Sequence, residues 1–274
     1  MQTGKVIIAG AGPGDPELIT LKALRFLQQA NVVLADRLVS EAILLQWANP
    51  KATLIHVGKE NGNPCSFSQT DINALLVQHA QEGKLVLRLK GGDIAFFSNV
   101  LDELRVLKKH RISYEIIPGI TAASGASAYT GIPLTARGFS GGVRMITVAH
   151  EEKIAESSWA DWAQTEDTLV FYMSGKSLHK IALALWEHGI SNDKKIAVIE
   201  QATTPAQRVF LYEVEALISG PEAHHFVSPT LLVIGKIATL YESFSWFYPA
   251  NAGPASYFKA LKAPLPVQES KCYY

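Results

Sequence analysis

The feature that most constrains the fold is an apolar run that ends in a glycine-rich loop and leads into a helical pattern. Residues 6–9 read V-I-I-A and are followed by G-A-G-P-G-D-P over 10–16. From about Thr20, leucines recur at helical spacing, and a second apolar run occupies 32–35. A strand, a loop, a helix and a strand in this order predict a parallel α/β layout.

The same alternation continues along the chain. Further strands are predicted at 53–57, 85–89, 114–117, 145–148, 169–172, 196–200 and 231–234, and helices at 71–83, 100–108 and 177–188, whereas 208–217 fits a strand or a helix. The elements of the second half look less strictly parallel. We therefore expect an α/β protein of two domains, 1–119 and 120–248, with the junction at about 119–140. Pro, Ala, Lys and Ser dominate 249–274, which predicts a poorly ordered tail.

Composition and charge narrow the functional classes. The 274 residues carry no formal net charge, so nothing favours binding to nucleic acid or to an anionic membrane. No apolar stretch approaches the roughly 20 residues of a membrane span. Cys65 and Cys272 belong to no C-x-x-C pair, which argues against a disulfide framework and against a zinc site. We expect a cytoplasmic protein without a metal, a nucleic-acid partner or a membrane partner.

The first glycine-rich loop allows three interpretations. G-x-G-x-G over 10–14, between a strand and a helix, is typical of dinucleotide sites. The third glycine of that fingerprint would be Asp15, however, and Pro13 and Pro16 have no N–H to donate to a pyrophosphate. A nicotinamide or flavin site is therefore disfavoured. A plain tight turn and a site for another nucleoside remain.

A second glycine-rich loop favours a nucleoside-binding site over a plain tight turn. Residues 90–93 read K-G-G-D directly after a predicted strand, at the edge of an α/β sheet where ligands bind. Small residues fill 121–128, and such residues admit a close backbone approach. Together these segments would line a crevice with backbone.

Several sequence blocks resemble the tetrapyrrole methylases in order and spacing over about residues 4–240. They are G-A-G-P-G-D-P-E-L-I-T-L-K-A at 10–23, A-D-R-L-V at 35–39, H-V-G-K at 56–59, R-L-K-G-G-D at 88–93, I-P-G-I-T-A at 117–122, G-I-P-L-T at 131–135, V-F-Y-M at 170–173, T-T-P-A-Q-R at 203–208 and S-P-T-L at 228–231. The V-G-K element at 57–59 is most similar to the branch that methylates uroporphyrinogen III.

The resemblance implies a class III methyltransferase fold and a homodimer. Two α/β domains would hold S-adenosylmethionine in the cleft between them. The implied reaction is C-methylation of uroporphyrinogen III to precorrin-2, with S-adenosylhomocysteine as the second product. Such an enzyme serves the biosynthesis of porphyrin-derived cofactors such as sirohaem or cobalamin.

The resemblance also implies roles for single residues. Asp36 would be the proton acceptor and Lys59 the proton donor of the reaction. The cofactor contacts carried over by position are Pro13, Gly91, Gly92, Asp93, Phe96, Thr121, Ala122, Met173 and Ala202. Because the tetrapyrrole is a polycarboxylate, cationic side chains should bind it. Arg37 and Arg137 are the first candidates, and Arg88 and Arg208 lie in matching motifs.

One stretch departs from the family. After G-G-D the family continues P-F-I-F-G-R-G-G-E-E, but residues 94–103 read I-A-F-F-S-N-V-L-D-E. The arginine, three glycines and one glutamate are absent. In addition, Glu60 stands where arginine is common, Ala136 replaces a histidine and Ala202 a glycine. Three alternatives stay open: methylation of uroporphyrinogen III, methylation of another tetrapyrrole, and a cofactor-binding paralogue with altered or lost activity.

Overall fold

The computed structural model describes residues 3–58, 67–148, 154–219, 225–249 and 256–258. The chain divides into two compact units. The first comprises Met1–Ala11, Ile19–Gly119 and Phe258–Tyr274, and the second Gly12–Leu18 and Ile120–Tyr257. The glycine-rich loop at Gly12–Leu18 therefore belongs with the second unit, although the strand before it and the helix after it belong to the first.

Over the described residues, the first unit is built on a five-stranded parallel sheet. Its strands are β1 (Lys5–Gly10), β2 (Val32–Ala35), β3 (Thr53–His56), β4 (Leu85–Lys90) and β5 (Ser113–Ile117), in the order β3-β2-β4-β1-β5. Every neighbouring pair is parallel. The alternation of strands and helices in the sequence is thus confirmed as an α/β fold.

Helices cover both faces of this sheet. They are α1 (Leu21–Gln29), α2 (Glu41–Trp47), α3 (Gln69–Gln81) and α4 (Val100–Lys109). Successive side chains of a strand point to opposite faces, so Ile7 packs in the core with Leu27 of α1, whereas Ile8 packs in the core with Leu76 of α3. A strand covered on both sides reads as a continuous apolar run, as β1 does.

Local signals set the helix boundaries. Thr20 caps α1, its Oγ1 accepting a hydrogen bond from Ala23 N at 3.3 Å. The expected start of α3 at residue 71 was wrong, because Ser68 is the N-cap and Asp71 closes a reciprocal capping box with it. Gly83 then ends the helix at φ +80°. The short helix α2 had no periodic pattern long enough to predict it.

The second unit contains a mixed sheet over the described residues. Its strands are β6 (Val143–Thr147), β7 (Thr168–Tyr172), β8 (Lys195–Glu200), β9 (Arg208–Glu213) and β10 (Thr230–Gly235), in the order β6-β7-β10-β8-β9. Only β6 and β7 are parallel among these pairs; β10 runs antiparallel to β7 and β8, and β8 to β9. The expectation of a less parallel second half is confirmed.

Helices also flank the second sheet. They are α5 (Ala122–Thr130), α6 (Glu156–Gln164), α7 (Leu178–Glu187), α8 (Val214–Ser219) and α9 (Tyr241–Phe244). Phe171 of β7 packs in a core with Leu185 of α7, and Val170 in a core with Ala126 of α5. The ambiguous segment 208–217 contains both kinds of element, since β9 leads directly into α8.

The predicted tail lies largely outside the described residues. Within it, Phe258 is buried. Among the described residues no helix is both long enough and apolar enough to cross a membrane.

Candidate functional site

The parallel sheet of the first unit brings the ends of its strands together at one edge, called here the carboxyl edge. Ala11 N, just past β1, donates to Lys90 O at 2.7 Å, and Asp36 N, just past β2, donates to Leu89 O at 3.0 Å. The loops after β1, β2 and β4 therefore leave the sheet side by side. Open α/β sheets bind ligands at this edge.

The glycines of the carboxyl edge are required by the packing of these loops on one another. A β-carbon on Gly10 would lie 2.5 Å from Gly92 O and 2.8 Å from Gly119 Cα. One on Gly91 would lie 2.8 Å from Leu38 Cβ. Gly92 itself has φ +68°, in the region that favours glycine. Close packing within the first unit thus accounts for these small residues without a ligand.

Arg88 lies beneath the carboxyl edge on β4 and is 1% exposed. Its Nε donates to Glu103 Oε1 at 2.8 Å, Nη2 donates to Asp36 Oδ1, and Nη1 donates to the carbonyls of Leu34 and Leu89 at 3.2 and 3.3 Å. A guanidinium so engaged and so buried has no access to a substrate. The prediction of Arg88 as a ligand for substrate carboxylates was therefore wrong.

Lys90 completes a buried ion cluster with Asp36, Arg88 and Glu103. Its Nζ lies 3.3 and 3.4 Å from the two carboxylate oxygens of Glu103 and 4.0 Å from Asp36 Oδ2. Glu103 is fully buried. Burial, and next the Arg88 guanidinium, lower the pKa of Lys90 below its ordinary value. Two cations and two carboxylates therefore balance one another, with Arg88, Lys90 and Glu103 in the interior.

Asp36 is the member of the ion cluster that reaches the surface, with 26% of its side chain exposed. Asp36 has two possible roles: a base in the reaction, as predicted, or a structural acid paired with a nearby cation. That cation exists and is Arg88. Neighbouring Arg37 is half-buried, and within the described part of the chain it has no ion-pair partner. Lys59, the predicted proton donor, lies outside the described residues.

The loop after β4 holds two further predicted cofactor residues. Asp93 Oδ1 accepts a hydrogen bond from Ala95 N at 3.1 Å, and its carbonyl accepts one from Phe96 N at 3.3 Å. Asp93 thus closes a turn with one carboxylate oxygen. Phe96 and Phe97 are 38% and 41% exposed, and Phe97 has φ +53°. Two partly exposed aromatic rings a few residues after the glycines offer a place where an apolar ligand surface can bind.

In the second unit, α5 and the end of β7 meet through one tyrosine. The Tyr172 hydroxyl is 2.7 Å from Thr121 Oγ1 and accepts a hydrogen bond from Ala123 N at 3.1 Å. It satisfies an N–H of the first turn of α5, which has no side-chain cap of its own. Next to it, Met173 has φ +57° and is 66% exposed. An exposed methionine in a left-handed conformation is unusual and occurs often at binding sites.

The glycine-rich loop at 12–18 packs against the same helix. A β-carbon on Gly125 of α5 would lie 2.5 Å from Pro13 Cγ, and one on Gly14 would lie 3.3 Å from Ala202 O. The second unit therefore brings Pro13, Thr121, Ala122, Met173 and Ala202 to α5 and its surroundings. The remaining predicted cofactor residues, Gly91, Gly92, Asp93 and Phe96, form a separate group on the first unit.

The remaining arginine candidates differ in availability. Arg137 is exposed on a loop that lines an open depression of about 600 Å³ together with Glu166. Arg208 instead bonds Glu200 through Nε at 2.7 Å and Nη2 at 2.6 Å. Glu200 is fully buried, so Arg208 is tied to the interior of the second unit and is less available to a substrate than Arg137. The described residues contain no cluster of three or more His, Cys, Asp or Glu side chains placed to hold a metal ion.

Comparison with known families decides what kind of protein this is. The model of the family Tetrapyrrole (Corrin/Porphyrin) Methylases matches residues 5–218. The chain belongs to the tetrapyrrole methylase family. The resemblance noted in the sequence is thereby confirmed.

Curated relatives of this tetrapyrrole methylase include larger proteins. A siroheme synthase of Saccharophagus degradans is 44% identical over 246 residues, which cover 90% of this chain and 53% of the relative. One of Pseudomonas putida is 44% identical over 249 residues, with the same coverage of each chain. The chain thus spans about half the length of these curated relatives.

Solved structures of the tetrapyrrole methylase type match along nearly their whole length. A uroporphyrin-III C-methyl transferase of Thermus thermophilus, complexed with S-adenosyl homocysteine, is 34% identical with a TM-score of 0.71, covering 86% of this chain and 100% of that one. A cobalt precorrin-4 methyltransferase is 27% identical with a TM-score of 0.74. The match covers 85% of this chain and 95% of that one.

Sequence reasoning missed two residues that support the candidate site, Glu103 and Tyr172. Both appeared only as letters of quoted blocks, Glu103 as the last residue of 94–103 and Tyr172 within V-F-Y-M. Their partners, Arg88 and Ala123, are named by no local pattern. The pairing of a buried acid with a buried arginine can be recognised only from the folded structure.

Proposed function

We propose that this chain catalyses the S-adenosylmethionine-dependent C-methylation of uroporphyrinogen III to precorrin-2. The observation that carries the proposal is the 34% identity to a uroporphyrin-III C-methyl transferase over the whole of that chain. The siroheme synthases, at 44% identity, support the same substrate class. Since only half of those relatives is matched, the activity proposed is that of a methylase alone.

The residues present fit S-adenosylmethionine. Asp93 uses one carboxylate oxygen for its own turn, which leaves the other for hydroxyl or amine groups of the cofactor. On the second unit, exposed Met173 offers apolar surface for a nucleobase, and on the first unit exposed Phe96 does the same. The backbone at Thr121 and Ala122 and at Gly91 and Gly92 carries no large side chain that would keep a ligand away. When bound, the cofactor supplies an electrophilic methyl group.

Asp36 is the proposed proton acceptor. A ring carbon that gains a methyl group leaves the tetrapyrrole with a proton to lose, and a carboxylate at the surface within reach of a pyrrole N–H accepts it. Arg88 fixes Oδ1 of this carboxylate, and Lys90 Nζ is 4.0 Å from Oδ2. The ion cluster thus gives the base one orientation, which favours a single geometry for proton transfer. Lys59 remains the proposed proton donor.

Arg37 and Arg137 are the proposed ligands of the substrate carboxylates. Neither guanidinium has an ion-pair partner among the described residues, and Arg137 is exposed. An arginine without an ion-pair partner can form bidentate hydrogen bonds with an incoming carboxylate.

By analogy with the family we further propose that the protein is a cytoplasmic homodimer. Analytical ultracentrifugation tests the oligomeric state.

An anaerobic assay with uroporphyrinogen III and methyl-labelled S-adenosylmethionine tests the activity. We expect label in the tetrapyrrole with the native chain, and a loss of about 10²-fold or more in kcat with Asp36→Asn. Asp193→Asn, at an exposed acid bonded to Lys236, is the matched control and should retain full activity. Cofactor binding without any transfer to uroporphyrinogen III would refute the proposed acceptor.

A second tetrapyrrole acceptor is the alternative function. It is favoured by Phe96, Phe97 and Leu101, which are all more than one-third exposed in the stretch where the family has glycines and an arginine. Such a surface suits an acceptor that presents an already methylated, more apolar ring edge to this loop. The same assay with precorrin-2 as the acceptor separates the two functions, because only the alternative predicts faster transfer to precorrin-2 than to uroporphyrinogen III.

A further inference from the structure

Four hydrogen bonds close a ring in the second unit. Asp15 N donates to Thr203 Oγ1 at 3.1 Å, and Thr203 N donates to Gln207 Oε1 at 2.7 Å. Gln207 Nε2 donates to Tyr129 O at 3.3 Å, and the Tyr129 hydroxyl donates to Asp15 Oδ2 at 2.5 Å. We call these four residues the hydrogen-bonded ring.

The members of the ring have few other ways to satisfy their polar groups. Thr203 and Gln207 are 2% and 3% exposed. The second carboxylate oxygen of Asp15 accepts a hydrogen bond from Glu17 N at 2.8 Å, so both oxygens are engaged. Burial, and next the bond to Asp15, raise the pKa of Tyr129 to about 12, which keeps its hydroxyl protonated as a donor at neutral pH.

The ring ties together three segments that are far apart in sequence. They are the glycine-rich loop with Pro13, helix α5 that begins at Ala122, and the loop after β8 with Ala202. Each segment carries a residue assigned to the cofactor, yet none of the four ring residues is so assigned. Thr203 has φ +67°, a conformation that is unfavourable for a β-branched residue and persists only where its surroundings impose it.

We propose that Asp15, Tyr129, Thr203 and Gln207 are positioning residues that hold the cofactor-binding backbone of the second unit in one arrangement. The inference rests on the proposed use of S-adenosylmethionine. It gives a reason for Asp15, which stands where a dinucleotide fingerprint has its third glycine. A glycine there has no carboxylate to accept the bond from Tyr129, so the loop at Gly12–Leu18 loses its tie to α5.

Binding of S-adenosylhomocysteine, measured by titration calorimetry, tests this role. Tyr129→Phe removes one hydroxyl, and we expect the dissociation constant to rise about tenfold. Thr203→Val should act similarly, because it keeps the branched shape and loses the acceptor, whereas Thr203→Ser keeps the hydroxyl and should bind more tightly than Thr203→Val. Tyr241→Phe, in the same unit and outside the ring, is the control and should bind like the native chain.

A second readout separates positioning from stability. Each variant is titrated well below its melting midpoint, and the KM for the tetrapyrrole is measured beside the KM for S-adenosylmethionine. Positioning predicts that the KM for S-adenosylmethionine rises while that for the tetrapyrrole stays the same. A lower melting midpoint with native affinity in Tyr129→Phe and Thr203→Val would overturn the inference. Should Tyr129→Phe not fold, the comparison of Thr203→Val with Thr203→Ser decides.

Binding of S-adenosylhomocysteine to the native chain distinguishes failure of the positioning role from failure of the proposed function. If the native chain does not bind S-adenosylhomocysteine, the proposed function fails and the inference fails with it. If the native chain binds and the ring variants bind equally well, only the positioning role is refuted.

Discussion

Asp36 accepts a hydrogen bond from Arg88, a residue 52 positions further along the chain. The carboxylate reaches the surface, whereas the guanidinium is almost completely buried and is held on its other side by Glu103. A proposed base is thereby connected to the interior of the first unit. This connection makes the stability of the unit and the orientation of the base depend on the same ion cluster.

Replacing Arg88 with methionine should destabilise the protein by about 3–5 kcal/mol, since Glu103 would stay buried with Lys90 as its remaining cation. The measurement is the free energy of unfolding from urea denaturation. Arg105→Met is the control, because the Arg105 side chain is 69% exposed and its pair with Asp102 at 3.7 Å contributes little. Equal stability of the two variants would show that the ion cluster contributes nothing net.

Lys90 should make stability rise with pH in the alkaline range. Its pKa is lower in the folded chain than its ordinary value of 10.5, so between these two values the unfolded chain binds more protons than the folded one. Stability contributed by this group therefore increases as pH rises from the folded pKa towards 10.5. The native chain should gain stability relative to Lys90→Met as pH rises towards 10.5.

Urea denaturation at several pH values, with Lys176→Met as an exposed-lysine control, measures the gain at Lys90. A difference between the native chain and Lys90→Met that stays constant over this range would contradict the prediction.

Gly125→Ala should destabilise the second unit by about 1–3 kcal/mol, because the new methyl group would lie 2.5 Å from Pro13 Cγ and 3.0 Å from Thr203 Cγ2. The same displacement of the loop should weaken S-adenosylhomocysteine binding. Gly141→Ala is the control, since a β-carbon there meets nothing within 4 Å. Thermal unfolding and calorimetry measure the two effects. Native stability in Gly125→Ala would mean that the loop at Gly12–Leu18 adjusts freely.

Tyr172→Phe should cost about 1–3 kcal/mol, because Ala123 N in the first turn of α5 would lose its acceptor in a buried position. Met173 follows Tyr172 directly, so a shift of α5 should also reduce cofactor affinity. Tyr212→Phe removes a hydroxyl from the same unit and serves as the control. The experiment compares melting midpoints, and similar midpoints for both variants would argue against the capping role of Tyr172.

Much of the fold follows from local patterns. The apolar runs of β1, β2 and β4 and the turn residues between them predict a parallel sheet, because strand period and helix period are both properties of neighbouring residues. The open question at 208–217 could not be decided in this way. There a strand passes into a helix without a break, and only pairing with β8 shows where the strand ends.

The candidate site was predictable only in part. Blocks of sequence pointed to Asp36, to the glycines after β4 and to the segment at Thr121, and these lie at the carboxyl edge and on α5 as described. The same reasoning also considered Arg88 as a ligand for the substrate. The sequence motif around an arginine is the same whether its side chain faces solvent or a buried acid. The acid that binds Arg88 is Glu103, which lies 15 residues further along the chain.

The sequence by itself determined the α/β alternation, the family and the identity of the residues that carry the proposed chemistry. The tertiary structure decided which of those residues are exposed and which are held by other side chains. Asp15 and Thr203 are 188 residues apart, and Arg88 and Asp36 are 52 apart. Local preferences act over a few neighbouring residues, whereas a hydrogen bond between distant segments exists only after packing has brought its donor and acceptor together.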